Sequence, residues 1–154
     1  MKSEELPAEM SFVERREVHL TIPVAPEMEI AATAQVAALG EWMEMDRDKI
    51  DEVKMAVVEA CINAFEHSDT PDHKVALSFR IGSEDSGRGA YLEVDVADAG
   101  RGFDPTRLKA PEIATALKSS RKRGWGIKII ESLMDDVRIE SGEHGTRIVM
   151  RKYR

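Results

Sequence analysis

The sequence predicts an α+β two-layer sandwich, in which a mixed, mostly antiparallel sheet of about five strands carries three main helices on one face. Short segments with alternating apolar and polar residues indicate the strands, and two pairs of these segments are joined by glycine-containing connections, as in hairpins. Longer segments with apolar residues at every third or fourth position indicate the helices. Hairpins therefore outnumber crossovers, and the repeated βαβ units that a doubly wound nucleotide fold needs are missing.

The elements follow one another in the order β, α, α, β, β, loop, α, β, β. The predicted strands are Val18–Ile22 (ended by Pro23), Lys74–Ile81, Tyr91–Val96, Val137–Glu140 and Thr146–Arg151. The predicted helices are Pro26–Met43 (ending near Gly40 or Met45), Lys49–Ser68, a short segment Glu112–Leu117, and Gly124–Met134. Glycine-rich connections are expected at Gly82–Gly89 and at Asp98–Pro105, and a turn near Gly142 and Gly145 joins the last two strands.

The composition is that of one globular domain. The chain has 154 residues, 42% of them hydrophobic and 33% charged, so we expect a flexible leader over residues 1–15 and a single domain over 16–154. A net charge of −7 argues against direct binding of nucleic acid or an anionic membrane. No apolar run reaches transmembrane length, which predicts a cytoplasmic protein. The single cysteine, Cys61, is expected to pack in the core.

A polar stripe interrupts the apolar face of the helix Lys49–Ser68. Glu59, Asn63 and either Glu66 or His67 are spaced by three or four residues and lie on one side of this helix. Asn is a mediocre helix former, so its position among apolar residues needs a reason. A solvated helix face is the ordinary interpretation. The chemical interpretation is that the Asn63 oxygen binds Mg²⁺ beside nucleotide phosphates, while Glu59 accepts a proton from an attacking hydroxyl.

Two further motifs follow predicted elements and point to ligand binding. Asp98 lies at the end of a strand, where its carboxylate can accept a hydrogen bond from an exocyclic amine such as that of adenine, and Gly100 and Gly102 permit close ligand approach. Three basic residues, Arg121, Lys122 and Arg123, precede a Gly-x-Gly at a helix start, where free N–H groups favour anions. Taken alone, the first motif is better explained as an Asx-capped glycine turn, and a solvated basic turn is a serious alternative for the second.

The remaining signals are weaker. Trp125, between Gly124 and Gly126, is expected to pack rather than to recognise a ligand, and Gly145-Thr146 opens the last strand without meaning by itself. Neither a Walker A motif nor a complete dinucleotide fingerprint is present, and the histidines lack the cysteine partners of a zinc site.

Taken together and in this order, the motifs resemble the ATP-binding boxes of the GHKL superfamily, which has the Bergerat fold. Glu59–Asn63 matches its N box, Asp98–Gly102 its first glycine box, Gly124–Gly126 its second glycine box, and Gly145-Thr146 its closing Gly-Thr. The run Glu59–His67 and the segment Leu133–Val137 are most similar to the anti-sigma factor serine/threonine kinases of the RsbW type. The resemblance covers nearly the whole chain from Arg16 onward.

The resemblance assigns a role to each matching residue. It implies that Glu59 is the general base, that Asn63 holds Mg²⁺, and that Asp98, helped by Thr146 through water, binds the adenine amine. It also implies that Phe103–Arg123 forms a lid over the phosphates, in which Arg121, Lys122 or Arg123 neutralises γ-phosphate charge. The residues expected to contact ATP or its metal are Asn63, His67, Asp98, Gly100, Gly102, Phe103, Arg121, Lys122, Arg123, Gly124, Trp125, Gly126 and Thr146.

By the same resemblance, the function is ATP-dependent phosphorylation of a serine on an anti-anti-sigma protein of the STAS fold, combined with binding of a sigma factor, usually as a homodimer. The Ala-rich segment Pro26–Met43 and the first strand are candidates for the dimer face. Two alternatives stay open. One is a nucleotide-gated binding module with vestigial kinase activity. The other is a detached histidine-kinase catalytic domain, although the sequence shows no helical segment carrying a phosphoacceptor histidine.

Overall fold

A computed structural model describes residues 16–67, 74–85, 87–98, 125–142 and 145–154. Five strands, β1 (Glu17–Pro23), β2 (Lys74–Glu84), β3 (Gly89–Asp98), β4 (Asp136–Gly142) and β5 (Gly145–Tyr153), form one sheet in the order β1-β2-β3-β5-β4. Three helices, α1 (Glu29–Trp42), α2 (Arg47–His67) and α3 (Trp125–Leu133), pack against it. All neighbouring strands are antiparallel, so the predicted sandwich is confirmed.

The strand register explains how one face of the sheet becomes the core. Every second residue of β2 from Val75 to Ile81 is apolar and buried (Val75, Leu77, Phe79 and Ile81), and each of these lies opposite an inward-facing residue of β3. The helices cover these rows, with α1 against β1 and β2, and α2 against β2, β3 and β5. Because a strand turns successive side chains to opposite faces, the same alternation leaves the other face of the sheet polar.

The outer face of the sheet is held together by cross-strand ion pairs. Arg80 of β2 and Arg151 of β5 both bind Glu93 of β3, with N–O distances of 2.8 and 2.7 Å. Arg147 of β5 pairs with Asp95 of β3 in the same way. Burial raises the pKa of the Glu93 carboxyl, but the hydrogen bonds and charges of the two arginines together outweigh burial, so the pKa lies below its usual value. This face therefore needs no covering layer.

The connection between α1 and α2 is tighter than the sequence predicted. Gly40 does not end α1; it lies inside the helix, where an added Cβ would come within 2.7 Å of the Ile50 side chain of α2. Glu44 adopts the left-handed conformation with φ of 59°, and the Met45 amide donates to the Gly40 carbonyl at 2.9 Å. This pattern of a left-handed residue and a back-reaching amide terminates a helix, so α1 ends at Trp42 and the turn at Met43 and Glu44 lies between the two predicted positions.

Other predicted boundaries were wrong by a few residues. β2 continues to Glu84, and β3 begins at Gly89, so half of the predicted connection Gly82–Gly89 is strand. At Gly82 an added Cβ would lie 2.5 Å from the hydroxyl oxygen of Tyr91 on β3, which explains a glycine in the middle of the pair. α1 begins at Glu29 rather than Pro26, and Asp98 is the last residue of β3 rather than the first of a loop.

Candidate active site

Three polar side chains meet where β3, β5 and β4 come together at one end of the sheet. Asp98, the last residue of β3, lies opposite Thr146 of β5, and Thr146 lies opposite Ser141 of β4. All three belong to rows that face the helices. Asp98 and Thr146 are only 8% and 3% exposed, and the hydroxyl oxygens of Ser141 and Thr146 are 2.9 Å apart. The sheet register thus places a carboxylate beside a hydroxyl pair.

This polar cluster borders an open pocket of about 330 Å³, at the lower end of the range for small-molecule pockets, whose wall also includes the outward-facing residues Ala97, Glu140 and Arg147. Its wall includes Asp98, Ser141 and Thr146 together with Gly142 and Gly145 at the tip of the β4–β5 hairpin. Gly145 has φ of +121°, which side chains other than glycine rarely adopt, and so permits the tight turn there. A buried carboxylate and hydroxyls bordering one small pocket are suited to recognising hydrogen-bond donors and acceptors of a flat polar ligand.

Asn63 adds a second buried polar group on α2. Its side chain is 9% exposed, and its amide nitrogen is buried without a hydrogen-bond partner in the described part of the chain. A buried polar atom without a partner costs about 1–3 kcal/mol, and such an atom in a native fold calls for an explanation. A bound ligand that pairs with the carboxamide is a direct explanation. The neutral carboxamide oxygen also fits Mg²⁺, which accepts such ligands beside phosphates.

Glu59 lies one helical turn before Asn63 and is half-buried. Glu52, two further turns back on the same side of α2, reaches Lys152 of β5 with an N–O distance of 3.0 Å. This side of α2 therefore faces the neighbouring elements rather than open solvent, because α2 contacts α3, β3 and β5. A solvated helix face, the ordinary interpretation of the polar stripe, does not describe Asn63.

The first turn of α3 supplies main-chain N–H groups. Trp125 begins this helix and is 42% exposed, so it does not lie in the interior, and its role in packing or in ligand contact stays a prediction. Gly126 and Ile127 are buried, and α3 contacts α2. The first N–H groups of a helix have no partner within the helix and carry partial positive charge, which favours anions. The residues at this end thus provide a second kind of binding group beside α2.

Several predicted site residues lie outside the described part of the chain. They are Gly100, Gly102, Phe103, Arg121, Lys122, Arg123 and Gly124, together with the short helix Glu112–Leu117, the leader 1–15 and the side chain of His67. Their assignments stay predictions. Among the residues that the structure does describe, it brings Asp98 and Thr146 together, as the sequence predicted, and places Asn63 and Glu59 on one side of α2.

Comparison with known proteins agrees with this geometry. Residues 22–152 match the histidine kinase-like ATPase domain family. The chain belongs to this family. It is 30% identical over 141 residues to the serine-protein kinase RsbW of Bacillus subtilis, covering 88% of this chain and 84% of the relative. It is 29% identical over 144 residues to RsbW of Oceanobacillus iheyensis, covering 88% and 85% of the two chains. The predicted family is thereby confirmed, as is the predicted enzyme class, a protein serine kinase, at the level of the family.

Solved structures share the fold. The RsbU and RsbW domains of a Mycobacterium tuberculosis protein match with a TM-score of 0.65 and 19% identity, covering 90% of this chain and 32% of that chain. The SiaB–SiaC complex of Pseudomonas aeruginosa matches with a TM-score of 0.53 and 11% identity, covering 99% and 98%. None of the helices in the described ranges combines the length and the apolar character that a membrane crossing demands.

The sequence analysis missed one residue of the site, Ser141, and one buried polar residue at the opposite end of the sheet, Lys152. Ser141 extends the inward row of β4 beyond Val137 and Ile139, and Lys152 extends the inward row of β5 beyond Ile148 and Met150. Strand alternation carried through the full strands would have found both. The predicted strands ended too early, at Glu140 and Arg151.

The packing role predicted for Cys61 is confirmed. Its thiol is fully buried on α2, and this burial, with a smaller contribution from Glu29, raises its pKa to about 12. Because the thiolate is the reactive form, the buried thiol is not a nucleophile at neutral pH.

Proposed function

We propose that this protein is an ATP-dependent serine kinase and anti-sigma factor, which binds a sigma factor and phosphorylates a serine of an anti-anti-sigma protein of the STAS fold. The observation that carries the proposal is the polar cluster of Asp98, Thr146 and Ser141 at the end of the sheet, together with the Asn63 amide of the neighbouring helix, which has no partner among the described residues. Family membership supports ATP as the ligand, and the names of the relatives support a serine of a protein as the acceptor.

In the proposed reaction, Asp98 accepts a hydrogen bond from the exocyclic amine of adenine and Thr146 supports the same base through water. The phosphates extend toward the first turn of α3, whose N–H groups face developing negative charge. Glu59 accepts the proton of the substrate serine while the serine oxygen bonds to the γ-phosphorus. The bond from that phosphorus to the bridging oxygen breaks, and ADP leaves. Phosphoryl transfer depends mainly on such positioning and charge stabilisation.

Asn63 would hold Mg²⁺ through its carboxamide oxygen, a type of ligand that Mg²⁺ accepts beside phosphates. The ion, when bound, neutralises charge on the β- and γ-phosphates. The role of this chain is to supply a neutral ligand from a fixed position, because Asn63 is buried within the 21-residue helix α2.

The proposed assembly is a cytoplasmic homodimer. α1 is one proposed dimer face, because Ile30 and Trp42 are exposed on it, and β1 is the neighbouring edge of the sheet. The guanidinium of Arg16 lies 3.8 Å from the centre of the Trp42 ring, so this apolar surface carries a positive charge at one end.

Calorimetry of ATP binding tests the nucleotide site. Wild type should bind ATP more tightly with Mg²⁺ than without it, and Asn63→Ala should lose most of the Mg²⁺-dependent gain while keeping Mg²⁺-free binding. An absence of ATP binding by wild type under both conditions would remove the basis of the kinase proposal. A Mg²⁺-dependent gain that survives in Asn63→Ala would reassign the metal ligand.

A phosphate-transfer assay with a STAS-fold substrate tests the chemistry. Glu59→Gln should lower the transfer rate by about 10²–10⁴-fold with ATP affinity retained, since general-base catalysis contributes about this much. Asp51→Asn is the matched control, because Asp51 is an exposed carboxylate on the same helix, away from the stripe. Transfer by Glu59→Gln at the wild-type rate would eliminate Glu59 as the base. ATP binding by wild type without any transfer would instead favour a nucleotide-gated binding module.

A further inference from the structure

A buried lysine joins three elements at the end of the sheet opposite the polar cluster. Lys152 is the last inward-facing residue of β5 and is 7% exposed. Its ammonium donates to the main-chain carbonyl of Leu133 at 2.7 Å and pairs with the Glu52 carboxylate at 3.0 Å. Leu133 is the last residue of α3, and Glu52 belongs to α2. One charged group therefore connects α2, α3 and β5.

The contact with Leu133 is a helix C-terminal contact. The last carbonyls of a helix have no partner within the helix and carry partial negative charge, so a cation placed there stabilises the helix end. Here the cation comes from a strand rather than from α3 itself, so it also fixes where that end of α3 lies. A buried ammonium loses most of its hydration, and an apolar side chain would fill the row without that loss. Lysine at this position therefore contributes a directional bond, which an apolar side chain could not supply.

The other end of the same helix is the proposed phosphate-binding end. α3 has nine residues, so its two ends are about 13 Å apart, and a helix this short moves as a rigid rod. Glu52 lies on the same side of α2 as Glu59 and Asn63, at the residue spacing of about two helical turns from Glu59. The bond network at Lys152 thus connects the helix that binds phosphates with the helix that carries the base and the metal ligand.

We propose that Lys152 is a positioning residue for phosphoryl transfer: it fixes the orientation of α3, so that the first turn of this helix lies correctly against Glu59 and Asn63. The inference rests on the proposed function. Displacements of about 1 Å in a reacting geometry can lower rates by about 100-fold, so a tether far from the phosphates can affect the reaction.

The test compares Lys152→Met with Lys49→Met. Lys49 of α2 donates to the Tyr153 carbonyl at 3.2 Å, so it also joins α2 to the end of β5, but by this bond it does not reach α3. AMP and ATP binding are measured for both variants. AMP carries the base but lacks the two outer phosphates, so the ratio of AMP to ATP dissociation constants reports on the phosphate end alone.

In Lys152→Met, that ratio should fall by about 10-fold and the transfer rate by about 10–100-fold, with AMP affinity unchanged. In Lys49→Met, the ratio should keep its wild-type value, even if the melting temperatures of both variants fall by a few degrees. If Lys152→Met does not fold, Glu52→Gln removes only the ion pair and should lower the ratio by about 2–5-fold.

The outcomes separate the inference from the proposal beneath it. The positioning role is overturned if wild-type protein binds ATP and Lys152→Met keeps the wild-type ratio. If Lys152→Met does not fold, the same result in Glu52→Gln overturns it. The kinase proposal stays intact in both cases. Equal losses of AMP and ATP affinity in Lys152→Met also overturn the positioning role, because a general structural role would produce them. Wild-type protein that binds neither nucleotide overturns both.

Discussion

The inward row of β5 ends in a polar residue at both ends, and the two ends differ in what surrounds them. Thr146 lies beside Asp98 and the Ser141 hydroxyl, and this cluster borders an open pocket. Lys152 lies at the other end of the row, where the Leu133 carbonyl and the Glu52 carboxylate are its partners. Ile148 and Met150 between them are buried and apolar.

The difference separates two uses of buried polarity. A charge that is taken from water and fully bonded within the chain stabilises one arrangement of its neighbours, and its removal exposes unpaired partners. Polar groups that line a pocket can form hydrogen bonds with an external ligand. Their burial costs free energy that apolar side chains in the same place would not cost. The open end (Asp98, Ser141 and Thr146) should therefore control ligand binding with little effect on stability. The closed end (Lys152 with its partners) should contribute to stability and should affect ATP binding only indirectly, through the position of α3.

The strongest test of the open end is Asp98→Asn. The substitution keeps the shape of the side chain but replaces a carboxylate oxygen that accepts hydrogen bonds. ATP affinity should fall by about 100-fold, or ~2.7 kcal/mol, because hydrogen bonds to charged groups contribute about 1.5–3 kcal/mol. The free energy of unfolding should stay within about 1 kcal/mol of wild type. Calorimetry and urea unfolding measure the two quantities.

Asp95→Asn is a suitable control for that variant. Asp95 is an aspartate on the same strand whose side chain faces the outer side of the sheet, where it pairs with Arg147. Asp95→Asn should leave ATP affinity unchanged. Equal losses of affinity in the two variants would mean that the effect comes from the strand or from net charge, and the open end would lose its distinct role.

The closed end should show the opposite result in the free energy of unfolding. Lys152→Met removes the donor to the Leu133 carbonyl, and we expect a loss of about 1–2 kcal/mol, the usual size for an interior group left without its partner. Urea unfolding of the ligand-free protein measures it. A variant as stable as wild type, or more stable, would show that the ion pair only balances its own desolvation, as some buried pairs do.

The same comparison shows what sequence alone could predict. The fold was predictable because the strand and helix periods are regular: the inward residues of β2 alternate without exception from Val75 to Ile81, and every inward one is buried. A predicted boundary was misleading where a tertiary contact, rather than a local sequence preference, explains the residue. Gly40 looked like a helix end, but it is the place where α1 approaches Ile50, and helix termination fell to Glu44 in the left-handed conformation.

The candidate site was predictable in part, for a different reason. Asp98 and Thr146 are 48 positions apart in sequence, and only their resemblance to known ATP-binding boxes linked them; the sheet register then placed them opposite one another. Ser141 and Lys152 match no such box. Their roles depend on which strand lies beside which and on where α3 ends, and these are properties of the assembled sheet rather than of a local pattern.

The smallest effect should come from Ser141→Ala, and it examines how the open end is organised. The Ser141 hydroxyl lies 2.9 Å from that of Thr146, and either one can be the donor, so Ser141 sets which side of the Thr146 hydroxyl faces the cavity. Removing it should weaken ATP binding by about 2–5-fold, or ~0.5–1 kcal/mol, the usual contribution of a neutral hydrogen bond. Stability should change by less than about 0.5 kcal/mol.

Calorimetry with ATP and with GTP measures the effect of Ser141→Ala, and a smaller preference for ATP would indicate that Ser141 orients Thr146 for adenine. An equal loss for both nucleotides would restrict Ser141 to shaping the cavity wall, and Thr146 would then recognise the base without it.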